Sequence, residues 1–233
     1  MEFICLSSGS SGNAYVLKHN KRCLLIECGL RYPQLLEKLE ENNLSITDIK
    51  NTIITHSHKD HCKAKDQLKE CGINVYEPYE RDLPFTFMVD VWVIYCFRVQ
   101  HDVFACGFVI INTITRETML FINDTYYIDL EDKVRNLKYD YVAIECNHVY
   151  NKLLDLLKDA NPGKQWKLNR QRHWHLSLIN TKKMLNQLCL KDTKAIYLMH
   201  LSQEAGDPEK MKTTIENTFN IKTFVCKKDG GLL

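Results

Sequence analysis

Thr55-His56-Ser57-His58-Lys59-Asp60-His61 is the stretch whose reading decides the rest. Three imidazoles and a carboxylate follow directly on the apolar run Asn51-Thr52-Ile53-Ile54. A β-branched run ending in a polar cluster reads as a strand, here Asn51 to Thr55, whose carboxyl end delivers side chains to a site. Neutral histidine and ionised aspartate are ligands for a borderline cation such as zinc or manganese. One ion cannot use all four, because alternate positions point in different directions. His56 and His58 can grip one ion while Asp60 and His61 face a second, as a two-metal hydrolase requires. A His-x-His pair alone is commonly a polar loop or a tag remnant. Four candidate ligands in HxHxDH order behind a strand carry the metal reading.

Outward from this stretch, the same pattern recurs. Apolar strands are read over Val89–Val99, Met119–Ile122, Tyr141–Ile144 and Ala195–Met199, and His101, Asp124, Glu145 and His200 follow their carboxyl ends. Such ends converge on one edge of an α/β sheet, so His56, His101, Asp124, Glu145 and His200 are expected at one rim. Any one of these histidines taken alone is more often a satisfied surface residue. Further strands are read at Phe3–Leu6, Ala14–Leu17, Arg22–Ile26, Asn74–Tyr76, Gly107–Asn112 and Thr223–Val225. Helices are read at Pro33–Asn42, Ala64–Cys71 (capped by Gly72) and Met211–Asn217. Strand, helix, strand, helix, strand over 22–76 implies parallel pairing covered by helices. The loop Ser7-Ser8-Gly9-Ser10-Ser11-Gly12-Asn13 reads as a turn whose amides can also approach a phosphate.

The 233 residues suffice for one α/β domain spanning 1–233 or for two small ones; neither a linker nor a repeat divides the chain. Thirty-one Lys+Arg against 29 Asp+Glu leave a charge of +2, which by itself implies neither nucleic acid nor membrane. The sequence contains no membrane-length apolar run, and the start Met1-Glu2-Phe3-Ile4 does not resemble a secretory signal. The 10 cysteines form no CxxC pair and read as buried thiols of a reducing compartment, so a cytoplasmic location is expected.

Strand-HxHxDH followed by a lone His, a lone Asp and a final His resembles the metallo-β-lactamase superfamily. Finer motifs resemble its YycJ/WalJ branch: the Ser7–Asn13 turn, Gln100-His101-Asp102, Ile144-Glu145-Cys146-Asn147-His148, His175-Leu176-Ser177 and His200-Leu201-Ser202. That branch is similar to the phage anti-Pycsar cyclic nucleotide phosphodiesterases; tRNase Z is a more distant relative. The resemblance implies an αββα sandwich of two mixed sheets flanked by helices. It implies one metal on His56, His58 and His101, another on Asp60, His61 and His200, and Asp124 bridging them around a hydroxide. Asp60, Glu145 and His175 are implied as catalytic, with His175 donating a proton to the leaving oxygen and Glu145 orienting the ring; a plain structural hydrogen bond is the alternative. Asn147, His148, Trp174 and Ser177 are the candidate substrate contacts, although Ser177 also suits a backbone cap. The chain departs from the family pattern at Glu27 (usually Asp), Asn123, Val149 and Trp174.

Two zinc or manganese ions and a small cyclic nucleotide substrate are therefore expected. A YycJ-like exonuclease acting on DNA is the alternative, and a thioester or lactone hydrolase the third. A metal-binding regulator without activity would leave the whole ligand set idle. A homodimer, and the host cytoplasm for a phage-encoded chain, are further implications of the resemblance. The run Lys164 to Arg172 interleaves basic residues with Trp166, which suits nucleotide binding, a solvated face or a subunit contact.

Overall fold

Two sheets carry the chain's core, and the computed structural model describes residues 1–233. The first sheet has the order β1 (Glu2–Ser7), β2 (Ala14–His19), β3 (Arg22–Ile26), β4 (Ile49–Ile53), β5 (Asn74–Tyr76). Its first three strands pair antiparallel, then β3, β4 and β5 run parallel as the intervening helical segments require. Those segments are α1 (Tyr32–Glu41), α2 (Lys59–Cys62) and α3 (Lys65–Glu70), the last ended by Gly72 at a φ of 77°.

The second sheet contains β6 (Phe85–Val89), β7 (Trp92–Val99), β8 (Ala105–Asn112), β9 (Thr118–Ile122), β10 (Tyr141–Glu145), β11 (Ala195–Met199) and β12 (Thr223–Val225), ordered β12-β11-β10-β9-β8-β7-β6. The strands from β6 to β9 form an antiparallel meander; β9 to β12 run parallel. Both faces are buried. Along β9, Met119 and Phe121 pack into the core between the sheets, while Leu120 and Ile122 face a second core. That outer core takes Val134 from α4 (Asp132–Arg135), Met184 and Leu185 from α7 (Leu178–Leu185), and Met211 and Ile215 from α8 (Pro208–Phe219). The layers are those of the αββα sandwich.

Several boundaries move. The run Val89–Val99 is not one strand: Val89 ends β6, Asp90 turns the chain at a φ of 52°, and β7 begins at Trp92. An unbroken β-prone run hides a turn made by an aspartate in the left-handed region. Strand β4 stops at Ile53 rather than Thr55, so the histidine stretch lies wholly in the following loop. Helices α5 (Tyr150–Lys158), α6 (Pro162–Trp174) and α7 were not expected. Thirteen-residue α6 buries only Leu168, so its sequence has no apolar stripe to reveal it. No helix is long and apolar enough to cross a membrane.

Candidate metal centre and active site

Three strand ends turn into the site through left-handed residues. Glu27 after β3, Asp124 near the end of β9 and His200 after β11 have φ of 64°, 43° and 55°. Non-glycine residues adopt this region at a cost, and here it swings each side chain over the sheet edge. The histidine loop is pinned from below: Asn13 N donates to Asp60 O at 2.8 Å and Cys28 N to His61 O at 2.7 Å. Gly29 is needed there, since a Cβ on it would lie 1.7 Å from Asp60 O. From the other sheet, Cys106 N donates to Thr55 O at 3.1 Å.

The loop and strand ends bring together His56, His58 and His101 in one group and Asp60, His61, Asp124 and His200 in another, with the ligand atoms of each within 4.8 Å of one another. His56 Nε2 lies 3.0 Å from His58 Nδ1, which lies 3.3 Å from His101 Nε2. Asp124 faces both groups: its Oδ2 is 3.2 Å from His61 Nε2, 3.9 Å from His56 Nε2 and 4.0 Å from His101 Nε2.

The donor set fits two cations. In His56, His58, His61 and His101 one ring nitrogen faces a group outside the cluster and the other faces into it. His56 Nδ1 meets Thr55 Oγ1 at 2.9 Å; that hydroxyl in turn donates to Glu27 Oε1 at 2.5 Å. His61 Nδ1 lies 3.3 Å from the same Glu27 oxygen, and His101 Nδ1 lies 3.3 Å from Trp174 O. His58 Nε2 turns to Asp102 Oδ1 at 3.4 Å, whereas His200 Nδ1 lies between Asp124 Oδ1 at 2.8 Å and Glu145 Oε1 at 3.2 Å. For His56, His58 and His101 an outer acceptor can take the N–H and leave the inward nitrogen as a lone pair, the tautomer a metal ligand needs. His200 Nε2 is buried and hydrogen-bonds to nothing. Buried Glu27 thus steadies a histidine in each group, so the glutamate at the position usually held by aspartate keeps the supporting role.

Electrostatics agree with this. Burial pushes His56 and His101 below the usual histidine range, keeping them neutral. For His61 burial also acts downward, but Asp124 and Glu27 outweigh it and raise the group to about 10. His200 is likewise raised against burial by Asp124, Asp60 and Glu145. Burial would raise Asp124, yet His200 and His61 hold it well below the carboxylate range. Protons on His61 and His200 occupy positions that a cation would take.

Beside the second group, His175 Nδ1 donates to Glu145 Oε1 at 2.6 Å. Fully buried Glu145 also accepts from Thr125 N at 2.9 Å and Leu176 N at 3.2 Å. A cavity of about 190 Å³ lies between this pair and α6, with His175, His200, Asn147, Lys167 and Arg170 among its walls. Helix α6 roofs it through Arg170, whose Nε and Nη2 donate to Asp102 Oδ2 at 3.0 and 2.6 Å, and through Gln171 Nε2, which donates to Asn147 Oδ1 at 2.6 Å. A second cavity, of about 980 Å³, opens on the His101 side.

The geometry matches proteins already known. YhfI from Bacillus subtilis, a metallo-β-lactamase fold protein, superposes with a TM-score of 0.73 at 14% identity over 99% of this chain and 98% of its own. WalJ of Streptococcus pneumoniae, named an exodeoxyribonuclease, is 26% identical over 246 residues, covering 93% of this chain and 87% of the relative. The chain has the metallo-β-lactamase fold and is similar in sequence to WalJ along nearly its whole length. YycJ of Bacillus anthracis, also named an exodeoxyribonuclease, is 25% identical over 96% of this chain and 91% of its own. The family model described as anti-Pycsar protein Apyc1 matches residues 6–75.

Within this fold the expected ligands all converge, but the expected substrate contacts divide. Asn147 lines the smaller cavity and Trp174 an outer one with Asp102 and Arg170. His148 is buried and lines neither, and Ser177 is buried with its hydroxyl accepting from Asn180 N as the cap of α7. Those two are not brought to a cavity wall. The residues that sequence reasoning did not single out are Thr55, which relays Glu27 to His56, and Arg170, which latches the roof. Neither belongs to a motif, and Arg170 is one of several basic residues on a polar helix.

Proposed function

We propose that the chain is a dinuclear-metal phosphodiesterase acting on a small cyclic nucleotide. His56, His58 and His101 would hold one divalent ion and Asp60, His61 and His200 the other, with Asp124 facing both. Two such ions would supply charge neutralisation on a phosphoryl group and a water deprotonated near neutral pH. The chain's own residues do the rest. Glu27, Thr55 and the Trp174 carbonyl fix the ligand tautomers, and Asp60 and Asp124 provide the negative charge that favours cations at this rim. His175, held at 2.6 Å by Glu145, borders the small cavity and would protonate a leaving alkoxide.

The observation that carries the choice of a small substrate is the roof. The compartment under α6 holds about 190 Å³, less than the roughly 300–1,000 Å³ that encloses a whole drug-sized ligand. That volume suits a phosphate and sugar better than a duplex. The anti-Pycsar family match over residues 6–75 supports the same class. A second reading, DNA exonuclease, is favoured by the near-full-length relatives that carry that name. Zinc in preference to manganese, a homodimer and one folding unit over 1–233 belong to the proposal as well.

The test is turnover of 3′,5′-cyclic nucleotides beside 5′-labelled single-stranded and duplex DNA, with zinc or manganese supplied. Cyclic nucleotide hydrolysis is expected. Degradation of DNA with every cyclic nucleotide spared would replace the first reading by the second. Elemental analysis and sedimentation check metal identity and dimer.

A further inference from the structure

The larger cavity has the shape and chemistry of a second binding element. It shares His101 and Asp102 with the metal rim and extends away from it to about 980 Å³. Phe104, in the loop between β7 and β8, stands at its wall with 70% of its surface exposed. The Arg98 guanidinium lies 4.6 Å from the Phe104 ring centroid and also lines the cavity. A cation stacked on an aromatic ring braces it in one orientation. Glu80, Gln100 and Asp129 add acceptors and a donor to the same walls. A lone exposed phenylalanine is ordinary on a protein surface. One that is braced by an arginine, borders a broad open cavity and sits three residues from a candidate metal ligand has a ligand-facing position.

We infer that this cavity seats the base of a nucleotide, with Phe104 braced by Arg98 as its stacking platform. The inference rests on the phosphodiesterase reading for the phosphate's place at the metal rim. A planar heteroaromatic ring stacks on Phe104, while the polar walls can take its edge groups by hydrogen bonds. Phe104 is a specificity residue, since it touches the part of the substrate that does not react. Trp174, the aromatic among the candidate substrate contacts, borders a separate outer cavity that also includes Asp102.

The test is calorimetric titration of the metal-loaded protein with AMP, GMP, CMP, UMP and ribose 5-phosphate, with cyclic nucleotide turnover followed in parallel. Wild type is expected to bind at least one nucleotide about tenfold tighter than ribose 5-phosphate, the scale set by base–aromatic stacking. Phe104→Ala should erase that preference, leave ribose 5-phosphate binding unchanged and, because the ring is exposed, leave the melting temperature unmoved. Phe104→Trp should restore it. A wild type without preference for a base, or a Phe104→Ala protein that keeps it, overturns the subsite. If the base preference is present and depends on Phe104 but no phosphodiester is cleaved, the functional reading fails and the subsite stands. If cyclic nucleotides are cleaved and Phe104→Ala keeps the preference, the reverse holds.

Discussion

Arg170 donates twice to a single oxygen of Asp102, at 3.0 and 2.6 Å, and so ties the centre of α6 to the loop that carries His101. The rest of α6 gives it little hold, since Leu168 is its one buried residue. Both partners are partly exposed, with side-chain exposures of 40% and 22%. Such a pair contributes on the order of 0.2–1 kcal/mol, too little to move global stability far. Its local effect is larger, because a helix without an apolar stripe opens at low cost. Arg170→Ala is expected to speed amide exchange across residues 162–174 several-fold while the melting temperature changes by only a few degrees. Unchanged exchange in that helix would show that the roof is held by something other than this pair.

Glu145 is the acceptor that orients His175, and an amide cannot replace it. Its two oxygens together meet His175 Nδ1, His200 Nδ1, Thr125 N and Leu176 N. Glu145→Gln sets an NH₂ group against one of these donors and removes the charged acceptor that holds the His175 ring. The expected loss in kcat is about 10²–10⁴-fold for an alkoxide leaving group, the range general acid catalysis provides. A 4-nitrophenolate leaving group requires no proton, so its turnover should fall much less. Equal losses on both substrates would assign Glu145 and His175 a purely structural part.

The legible part of this chain was the part built from strands. Apolar runs ended by His, Asp or Glu announce β4, β9, β10 and β11, and with them the rim on which the ligands meet. What stayed hidden lacks a periodic signature. Helix α6 is polar around its circumference, so neither it nor the Arg170 latch could be read from the pattern of Lys164 to Arg172. Thr55 looked like the last residue of a strand, whereas β4 stops at Ile53 and frees its hydroxyl to join Glu27 to His56. Whether Ser177 points to substrate or caps a helix depends on where α7 begins, and that helix was not visible. Phe104 is a single exposed aromatic, and only the cavity beside it gives it meaning.

Asp124 lies between the two ligand groups, while His58 belongs to one of them. Their substitutions should therefore differ in metal content. Asp124→Ala is expected to lower bound metal well below two equivalents at both sites, and His58→Ala to remove close to one. Both should abolish activity with the fold retained in far-ultraviolet circular dichroism. Dialysis against a chelator should reproduce the loss and lower the melting temperature, since a ligand bound only by the folded state stabilises it. Full activity in either variant would refute the ligand assignment.

His148 offers a pH test independent of the metal. It is 1% exposed, its Nδ1 has no hydrogen-bond partner, and burial, only partly opposed by Glu145, lowers it to about 4. An unfolded histidine titrates near 6.5. Between about 6.5 and 4 the unfolded chain therefore binds a proton that the folded chain refuses, and stability falls as pH falls. The full effect is about 3 kcal/mol, reached only below pH 4, with nothing lost above pH 7. Other groups titrate in the same window, so the informative quantity is a difference. Urea denaturation of wild type and His148→Gln at pH 7.5 and 5.0, with chelator present throughout, should show a wild-type loss on acidification larger by about 1–2 kcal/mol. Equal losses would mean that His148 accepts its proton in the folded protein as readily as in the unfolded one.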